Sequence, residues 1–229
     1  MEITWLGHSG FRLDIAGQSL LIDPWLAGNP SFPEERRADA LNGVTGILLS
    51  HGHGDHASNV IAISKELGVP VYCIHELSNW LAGQEVEVTG FGKGGTVKIG
   101  DVSVSMVTAV HSSSIDFTDT PLYAGGEAGF VIKGEGHSIY FSGDTDVTME
   151  MDIIADRYKP DVGILCAGGH FTMDMEGAAY AAKRFFDFKT VIPCHYGTFP
   201  ILEQSAQPLV DALPGVDVRV MTVMEPEDL

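Results

Sequence analysis

Apolar and charged residues alternate along the first strand-like stretch of the chain. In GFRLDIAGQSLLID, residues 10–23, Phe11, Leu13 and Ile15 alternate with charged side chains, a pattern that predicts a half-buried strand. A glycine turn follows, and the apolar run SLLI predicts a second, more deeply buried strand that ends in an aspartate.

The same pattern occurs a second time. GFVIKGEGHSIYFSGD, residues 129–144, is in register with the first copy from its opening glycine to the serine of its second strand, and GILCAGGH (163–170) echoes GILLSHGH (46–53). Each echo is followed by a helical pattern, ASNVIAISKELG or MEGAAYAAKRFFDF, and then by a strand, VPVYCIH or TVIPCH. Chance similarity of short apolar strings is the alternative explanation. A true repeat predicts an α/β fold with two sheets packed face to face and helices outside, in halves of approximately 1–115 and 116–229.

Composition bounds the class of protein. A chain of 229 residues with 45% hydrophobic and 19% charged residues predicts one globular domain, 1–229. The formal net charge of -18 disfavours nucleic acid and anionic membrane surfaces as partners, which leaves a small-molecule substrate. The N-terminal MEITWLGHSGFRLD lacks a signal-peptide pattern, so we expect a cytoplasmic protein whose three cysteines are reduced and buried.

Three of the nine histidines fall in one short stretch, SHGHGDH, directly after the apolar run GILL. His51 and His53 are two residues apart, so in extended chain both side chains lie on one side and can bind one cation. Asp55 and His56 follow too closely to bind this cation together with His51 and His53. They therefore predict a second cation nearby.

Three further residues follow apolar strands at positions where they could border the same pocket. His111 ends VSVSMVTAVH, Asp144 ends SIYFSGD and His195 ends TVIPCH. A polar side chain at the edge of a core needs a partner. Five histidines and two aspartates would form a two-metal site, with Asp144 as the bridge.

The ordered motifs LLIDP, SHGHGDH, TAVHS, YFSGDT and IPCHYGT resemble those of the metallo-β-lactamase superfamily. WLGHSGF, LLIDPWLAGNP, HSSS, YAGGEAGF and FTM are similar to its UPF0173-like metal-dependent hydrolases, which are related to the ascorbate-6-phosphate lactonase-like proteins. The resemblance implies a four-layer αββα sandwich and is compatible with a homo-oligomer. AGGHFTM departs from this branch, where Asp or Asn is expected in place of His170.

The resemblance also implies the ligand sets. His51, His53 and His111 would hold one metal ion, here called site 1. Asp55, His56 and His195 would hold the other, site 2, with Asp144 shared between them. Asp23 would orient the site through a hydrogen bond from outside the ligand set. The histidines favour Zn²⁺, with Mn²⁺ or Fe²⁺ as alternatives.

Two other histidines are candidate catalytic residues. His8 follows the first strand, where related folds place a loop beside the metals, so it could contact substrate or shuttle a proton; a local structural hydrogen bond is the alternative. His170 occupies the repeat position of His53, which predicts a place in the pocket wall and a role as proton donor.

The remaining candidates have simpler interpretations. The long loops 27–43 and 112–129 are possible lids, and they carry Phe32, Arg36, Arg37 and Tyr123, for which solvated loop positions are the plainer interpretation. Cys194 is expected to be a buried strand thiol rather than a nucleophile. His75 and His137 are expected to be ordinary surface histidines.

These features together suggest a binuclear metal-dependent hydrolase. A metal-bridging hydroxide would attack a carbonyl or phosphoryl centre, with Asp55 or Asp144 accepting a proton. An iron-dependent oxidoreductase on the same fold and a non-catalytic metal-binding protein are the two alternatives. The absence of a flavodoxin-like second domain weakens the first of them.

Overall fold

The computed structural model describes all 229 residues and contains two seven-stranded sheets. The first sheet has the order β16-β1-β2-β3-β4-β5-β6. Its strands are β1 (Glu2–Gly7), β2 (Gly10–Ile15), β3 (Gln18–Ile22), β4 (Gly46–Leu48), β5 (Val71–Ile74), β6 (Val88–Phe91) and β16 (Pro226–Asp228).

The second sheet has the order β15-β14-β13-β12-β11-β8-β7. Its strands are β7 (Thr96–Ile99), β8 (Val102–Thr108), β11 (Ala128–Gly134), β12 (His137–Phe141), β13 (Val162–Cys166), β14 (Thr190–Cys194) and β15 (Asp217–Val218). A separate two-stranded hairpin consists of β9 (Ser114–Ile115) and β10 (Leu122–Tyr123).

The helices are short and connect the strands. They are α1 (Arg37–Leu41), α2 (Gly54–Ala57), α3 (Val60–Leu67), α4 (His75–Gly83), α5 (Glu150–Tyr158), α6 (Met175–Phe185) and α7 (Gln207–Ala212), with one 3-10 turn at Glu34–Arg36. Helix α3 ends before Gly68, the last residue of the helical pattern ASNVIAISKELG, which takes the left-handed conformation. None of the helices is long and apolar enough to span a membrane.

The four-layer arrangement is visible in how single strands are buried on both faces. In β3, Leu20 and Ile22 belong to the large core that includes residues of both sheets, whereas Leu21 belongs to the smaller core formed with the helices outside the first sheet. Phe11 of the first sheet and Phe141 of the second meet edge to face, with ring centroids 6.3 Å apart. The predicted α/β fold, with helices on two facing sheets, is confirmed.

The internal repeat is also visible in the strand pairing. The antiparallel pair β2–β3 and the parallel pairs β3–β4 and β4–β5 have counterparts in β11–β12, β12–β13 and β13–β14. The boundary between halves differs from the expected position near 115. Two strands that precede residue 115, β7 and β8, already belong to the second sheet, which therefore begins at Thr96. Strand β8 pairs along its length with β11.

Candidate metal centre

The ligands predicted from the sequence converge at one edge of the two sheets. Asp23 and His195 directly follow the C-terminal ends of β3 and β14, Asp144 lies three residues beyond the end of β12, and the histidine motif follows β4. Parallel neighbouring strands present these ends at the same edge. Within the motif, His53 is extended and α2 begins at Gly54, so that Asp55 and His56 turn into a separate position.

Two groups of ligand atoms correspond to the predicted sites, and a third group, Asp23 with His51 and His56, overlaps both. The donor atoms of His51, His53 and His111 all lie within 4.8 Å of one another, as do those of Asp55, His56 and His195 together with His8. His51 Nε2 and His53 Nδ1 are 3.0 Å apart. The residues of site 1 and those of site 2 are therefore brought together as two groups.

Asp144 lies between the two groups. Its Oδ2 is 3.0 Å from His195 Nε2 and 3.3 Å from His56 Nε2, and it is 3.7 Å from His111 Nε2 and 3.9 Å from His51 Nε2. One buried carboxylate oxygen thus faces two imidazoles from each site. This is the position that a carboxylate shared by two ions has to occupy.

The spacing and the unsatisfied atoms fit metal ligands. Two ligands about 2.0–2.1 Å from one tetrahedral zinc ion lie roughly 3.3 Å from each other, close to the distances around Asp144. His56 Nε2 and Asp144 Oδ1 are buried without a hydrogen-bond partner. Such orphaned atoms are uncommon in folded proteins. Imidazole nitrogens with shared carboxylate oxygens form a donor set that suits zinc.

Asp23 orients one histidine of each site. Its Oδ2 accepts a hydrogen bond from His56 Nδ1 at 2.8 Å and another from Ser50 Oγ at 2.5 Å. Because the Ser50 proton is used in this way, His51 Nδ1, 2.9 Å away, donates to Ser50 Oγ. Both imidazoles are thereby left with Nε2 free to bind a metal ion. Ser50, which directly precedes the motif, was not predicted to contribute.

The electrostatics of the centre are dominated by this pairing of acids and imidazoles. Burial alone would raise the pKa of Asp144, but His195 and His56 outweigh it and hold that pKa well below its usual range. Burial likewise opposes the charged form of His56, yet Asp144 and Asp55 raise its pKa well above the ordinary value.

His8 lies beside Asp55, His56 and His195, and its hydrogen bond to Asp55 fits the alternative of a local structural role. Its side chain is wholly buried, and burial, followed by the proximity of His195, lowers its pKa to about 4. Its Nε2 lies 3.0 Å from Asp55 Oδ2. It contributes nothing to the lining of the cleft over the metal centre. The predicted contact with substrate is therefore not available to His8, which lies behind Asp55.

His170 also departs from the prediction. The chain turns at Gly169, whose φ is +85, and the exposed imidazole lines a separate surface depression with Asp174 and Glu203. The next residue, Phe171, borders the cleft instead. The repeat correctly placed the strand before this loop, but the two loops turn differently, so the predicted pocket position of His170 is wrong.

The cleft itself is small and has a mixed lining. Its volume is about 340 Å³, and it is lined by His53, Asp55, His111, Ser112, Asp116, Asp144, Phe171 and His195. No lysine or arginine is among these residues. Ser112, Asp116 and Phe171 were not predicted as site residues, although the motifs HSSS and FTM contain two of them and loop 112–129 was a candidate lid.

The two long loops differ in their relation to the cleft. Loop 112–129 supplies Ser112 and Asp116, and Asp116 Oδ1 accepts a hydrogen bond from Gly54 N at 2.7 Å. It packs so closely that a Cβ on Gly52 would lie 2.7 Å from Ala124 Cβ, which explains the glycine inside the motif. Tyr123 is exposed on β10 and does not line the cleft.

Loop 27–43 contributes no residue to the cleft lining. Phe32 is buried in the core under the outer helices. Arg36 pairs with Asp39, and Arg37 pairs with Glu66. The positions of these residues fit the interpretation that they do not contact the substrate.

The other candidates lie outside the centre. All three cysteines are free and buried, and burial raises the pKa of Cys166 to about 12 and that of Cys194 well above its ordinary value. Neither is a thiolate at neutral pH. His75 is an exposed residue that contacts Asn79, and His137 pairs with Asp161.

Comparisons with known proteins agree with this geometry. The beta-lactamase superfamily domain matches residues 18–196, which include all seven predicted ligands. The chain belongs to this superfamily. A UPF0173 metal-dependent hydrolase of Dinoroseobacter shibae is 61% identical over 230 residues, covering 100% of both chains. Another, from Paracoccus denitrificans, is 57% identical over 227 residues, covering 99% of each.

A solved structure extends the relationship. Igni18, a metallo hydrolase from the archaeon Ignicoccus hospitalis, superposes with a TM-score of 0.86 at 30% sequence identity, covering 99% of this chain and 97% of its own. The predicted family is thus confirmed, and the protein is a metal-dependent hydrolase of the beta-lactamase superfamily.

Proposed function

We propose that this metal-dependent hydrolase is binuclear and cleaves a small carbonyl substrate, a lactone, ester or amide, that carries no negative charge. The observation that supports two ions best is the position of Asp144 Oδ2 between histidines of both groups. His51, His53 and His111 would hold one ion, Asp55, His56 and His195 the other, and Asp144 both. The donor set favours zinc.

We assign Asp144 and Asp55 the role of ligands, although they differ in solvent exposure. Bound divalent ions would lower the pKa of a water molecule to about 7 and polarise the substrate oxygen. Asp144 is buried and ligates. Asp55 is 28% exposed at the cleft, and although burial alone would raise its pKa, His56 and His8 hold that pKa well below the usual range. Asp55 would therefore serve as an anionic ligand, and the proton of the attacking water would leave to solvent when the ions bind that water. Phe171 offers an apolar wall to the substrate.

The absence of lysine and arginine from the cleft lining supports a substrate that carries no negative charge. Sites for phosphoryl groups commonly use arginine or lysine to neutralise the oxygens. Apart from the predicted ligands, the one charged residue that lines the cleft is Asp116, and the whole chain carries a net charge of -18. Both would oppose the binding of an anionic substituent, in competition with the positive charge of the bound ions.

Elemental analysis tests the two-ion site. We expect about two zinc ions per chain after reconstitution, because seven ligand residues exceed the four of a single tetrahedral site. His137→Ala, which removes an imidazole outside the centre, should retain both. A wild-type stoichiometry of one would contradict the binuclear proposal. An iron spectrum in natively purified protein would favour the oxidoreductase alternative.

A matched substrate panel tests the charge preference. Neutral lactones and esters should exceed their carboxylate- or phosphate-bearing analogues in kcat/KM by roughly tenfold at low salt, and added salt should narrow the gap. Asp116→Asn should also narrow it, whereas Asp119→Asn, a change on the same loop outside the cleft lining, should have a smaller effect. Faster turnover of the anionic analogues would rule out this substrate class. No hydrolysis of any substrate at full metal loading would favour a non-catalytic metal-binding protein.

A further inference from the structure

His8 is a buried histidine that joins the two halves of the molecule behind site 2. It follows Gly7 at the end of β1 in the left-handed conformation, with a φ of +54, which is uncommon for a residue other than glycine. Its ring lies 4.0 Å from that of His195 and meets Trp25 and Phe199 edge to face. A buried polar ring in a costly backbone conformation indicates a position held for a specific purpose.

The imidazole is held at both nitrogens. Nε2 lies 3.0 Å from Asp55 Oδ2, and Nδ1 lies 3.0 Å from Thr198 Oγ1. A carboxylate can only accept, so Nε2 carries the hydrogen and donates it to Asp55. In the neutral ring Nδ1 then accepts from the Thr198 hydroxyl. This bond is shorter than the alternative contact of the same hydroxyl with Tyr196 O, which is 3.3 Å.

The backbone of His8 forms a second link to the same site. Its carbonyl oxygen accepts a hydrogen bond from the backbone N of His195 at 3.0 Å and another from Trp5 Nε1 at 2.9 Å. His195 itself has a φ of +62, so this bond helps to hold a ligand whose backbone is also left-handed. One residue of the first sheet therefore contacts two candidate ligands, and one of these follows a strand of the second sheet.

We propose that His8 is a positioning residue for site 2, which aims Asp55 through its side chain and His195 through its carbonyl group. This inference rests on the proposed two-metal function. Asp55 Oδ1 faces His56 Nε2 and Asp55 Oδ2 faces His195 Nε2, each at 3.8 Å. The bond from His8 to Oδ2 therefore holds the carboxylate toward site 2 and leaves Oδ1 without a bond to His8 and free to bind the ion. The Asp55 link depends on the imidazole, whereas the His195 link remains in any side-chain variant. Substitution of His8 therefore isolates the first link.

Zinc affinity, measured by competition with a chelator, tests the proposal without a substrate. We expect His8→Ala to bind one of its two zinc ions 10- to 100-fold more weakly, the range found for partners that orient a ligand. The more tightly held ion should be unaffected, as in Asp55→Ala. His8→Gln, whose amide N–H can still donate to Asp55, should recover most of the affinity. The exposed His75→Ala is the matched control and should behave as the wild type.

A double-mutant cycle distinguishes positioning from a general structural effect. If His8 acts through Asp55, replacing it in the Asp55→Ala background should change zinc affinity little further. Additive losses, or a failure of His8→Gln to recover affinity, would overturn the proposal, the latter in favour of His8 as a direct ligand. If His8→Ala does not fold without metal, Thr198→Val provides the second test, with an expected weakening of the same ion by about fivefold.

The outcomes also separate this inference from the proposed function. A wild-type chain that binds only one zinc ion would contradict the binuclear site itself. A wild-type chain that binds two, with His8→Ala binding both equally well, would contradict only the role of His8.

Discussion

Replacement of Asp144 by alanine is expected to reduce zinc content from about two ions per chain to below one. The substitution removes the only oxygen that lies within 4.0 Å of Nε2 atoms from both groups of histidines. Both proposed sites then lose a ligand at once. Asp23→Ala should be milder, with a loss of roughly 10- to 100-fold in affinity, because Asp23 orients the histidines without binding an ion.

Zinc content and chelator competition, measured on both variants in parallel, check this difference. Asp144→Asn is the matched variant, because it preserves the side-chain volume and removes only the charge. It should resemble the alanine variant in metal content and retain more of the wild-type thermal stability. Equal metal loss in Asp144→Ala and Asp23→Ala would show that one of these residues has been given the wrong role.

The candidate ligands could be predicted because they lie in short polar motifs at or shortly after the ends of apolar runs. The alternation in residues 10–23 and its echo in 129–144 predicted four strands, and all four are present. Once such strands are parallel neighbours, the residues after their C-terminal ends must lie close together. Asp23 and Asp144 follow strands of different sheets, and they meet through His56, whose Nδ1 lies 2.8 Å from Asp23 Oδ2 and whose Nε2 lies 3.3 Å from Asp144 Oδ2. That meeting depends on how the two sheets pack, which strand patterns do not specify.

The sequence-based predictions that failed concern the direction of side chains within loops. The match between GILCAGGH and GILLSHGH extends through the strand, but a turn at Gly169 directs His170 away and brings Phe171 to the cleft. Hydrophobic periodicity carries no information about such a turn. The environment of His8 was equally hidden, because Thr198, which contacts its ring, is 190 residues away in the chain.

The division between the halves shows a different limit. The internal repeat was found by aligning similar sequence segments. Strands β7 and β8 have no clearly similar segment in the first half, and they were placed before the expected boundary near residue 115 although they belong to the second sheet. Their membership in the second sheet depends on long-range pairing, such as that between Val104 and Ile132. Single-sequence patterns identify strands more reliably than they identify partners.

The other large effect is expected at Gly168, in the loop whose direction the sequence did not reveal. A Cβ added there would lie 2.1 Å from the backbone oxygen of His195 and 2.7 Å from its Nδ1. Backbone atoms cannot move aside as the end of a flexible side chain can. Either His195 shifts, or the bond from Ala167 N to Cys194 O, now 2.9 Å, is broken.

Gly168→Ala should therefore reduce stability and metal binding together. Overpacking of this kind typically costs about 1–3 kcal/mol, and for a chain of this size each kcal/mol lowers Tm by roughly 2–4 °C. Because the clash is with His195, the ion at site 2 should be lost preferentially, which links the turn after β13 directly to the metal centre.

Gly83→Ala is the matched control for this prediction. Gly83 is the last residue of α4, and a Cβ there would meet nothing within 4 Å. Alanine is favoured over glycine in helices by up to about 1 kcal/mol, so this variant should be as stable as the wild type or slightly more stable, with two zinc ions. Thermal denaturation and elemental analysis of both variants decide the matter. If Gly168→Ala matched Gly83→Ala in Tm and in zinc content, the close approach of His195 to Gly168 could not be what requires glycine at this position.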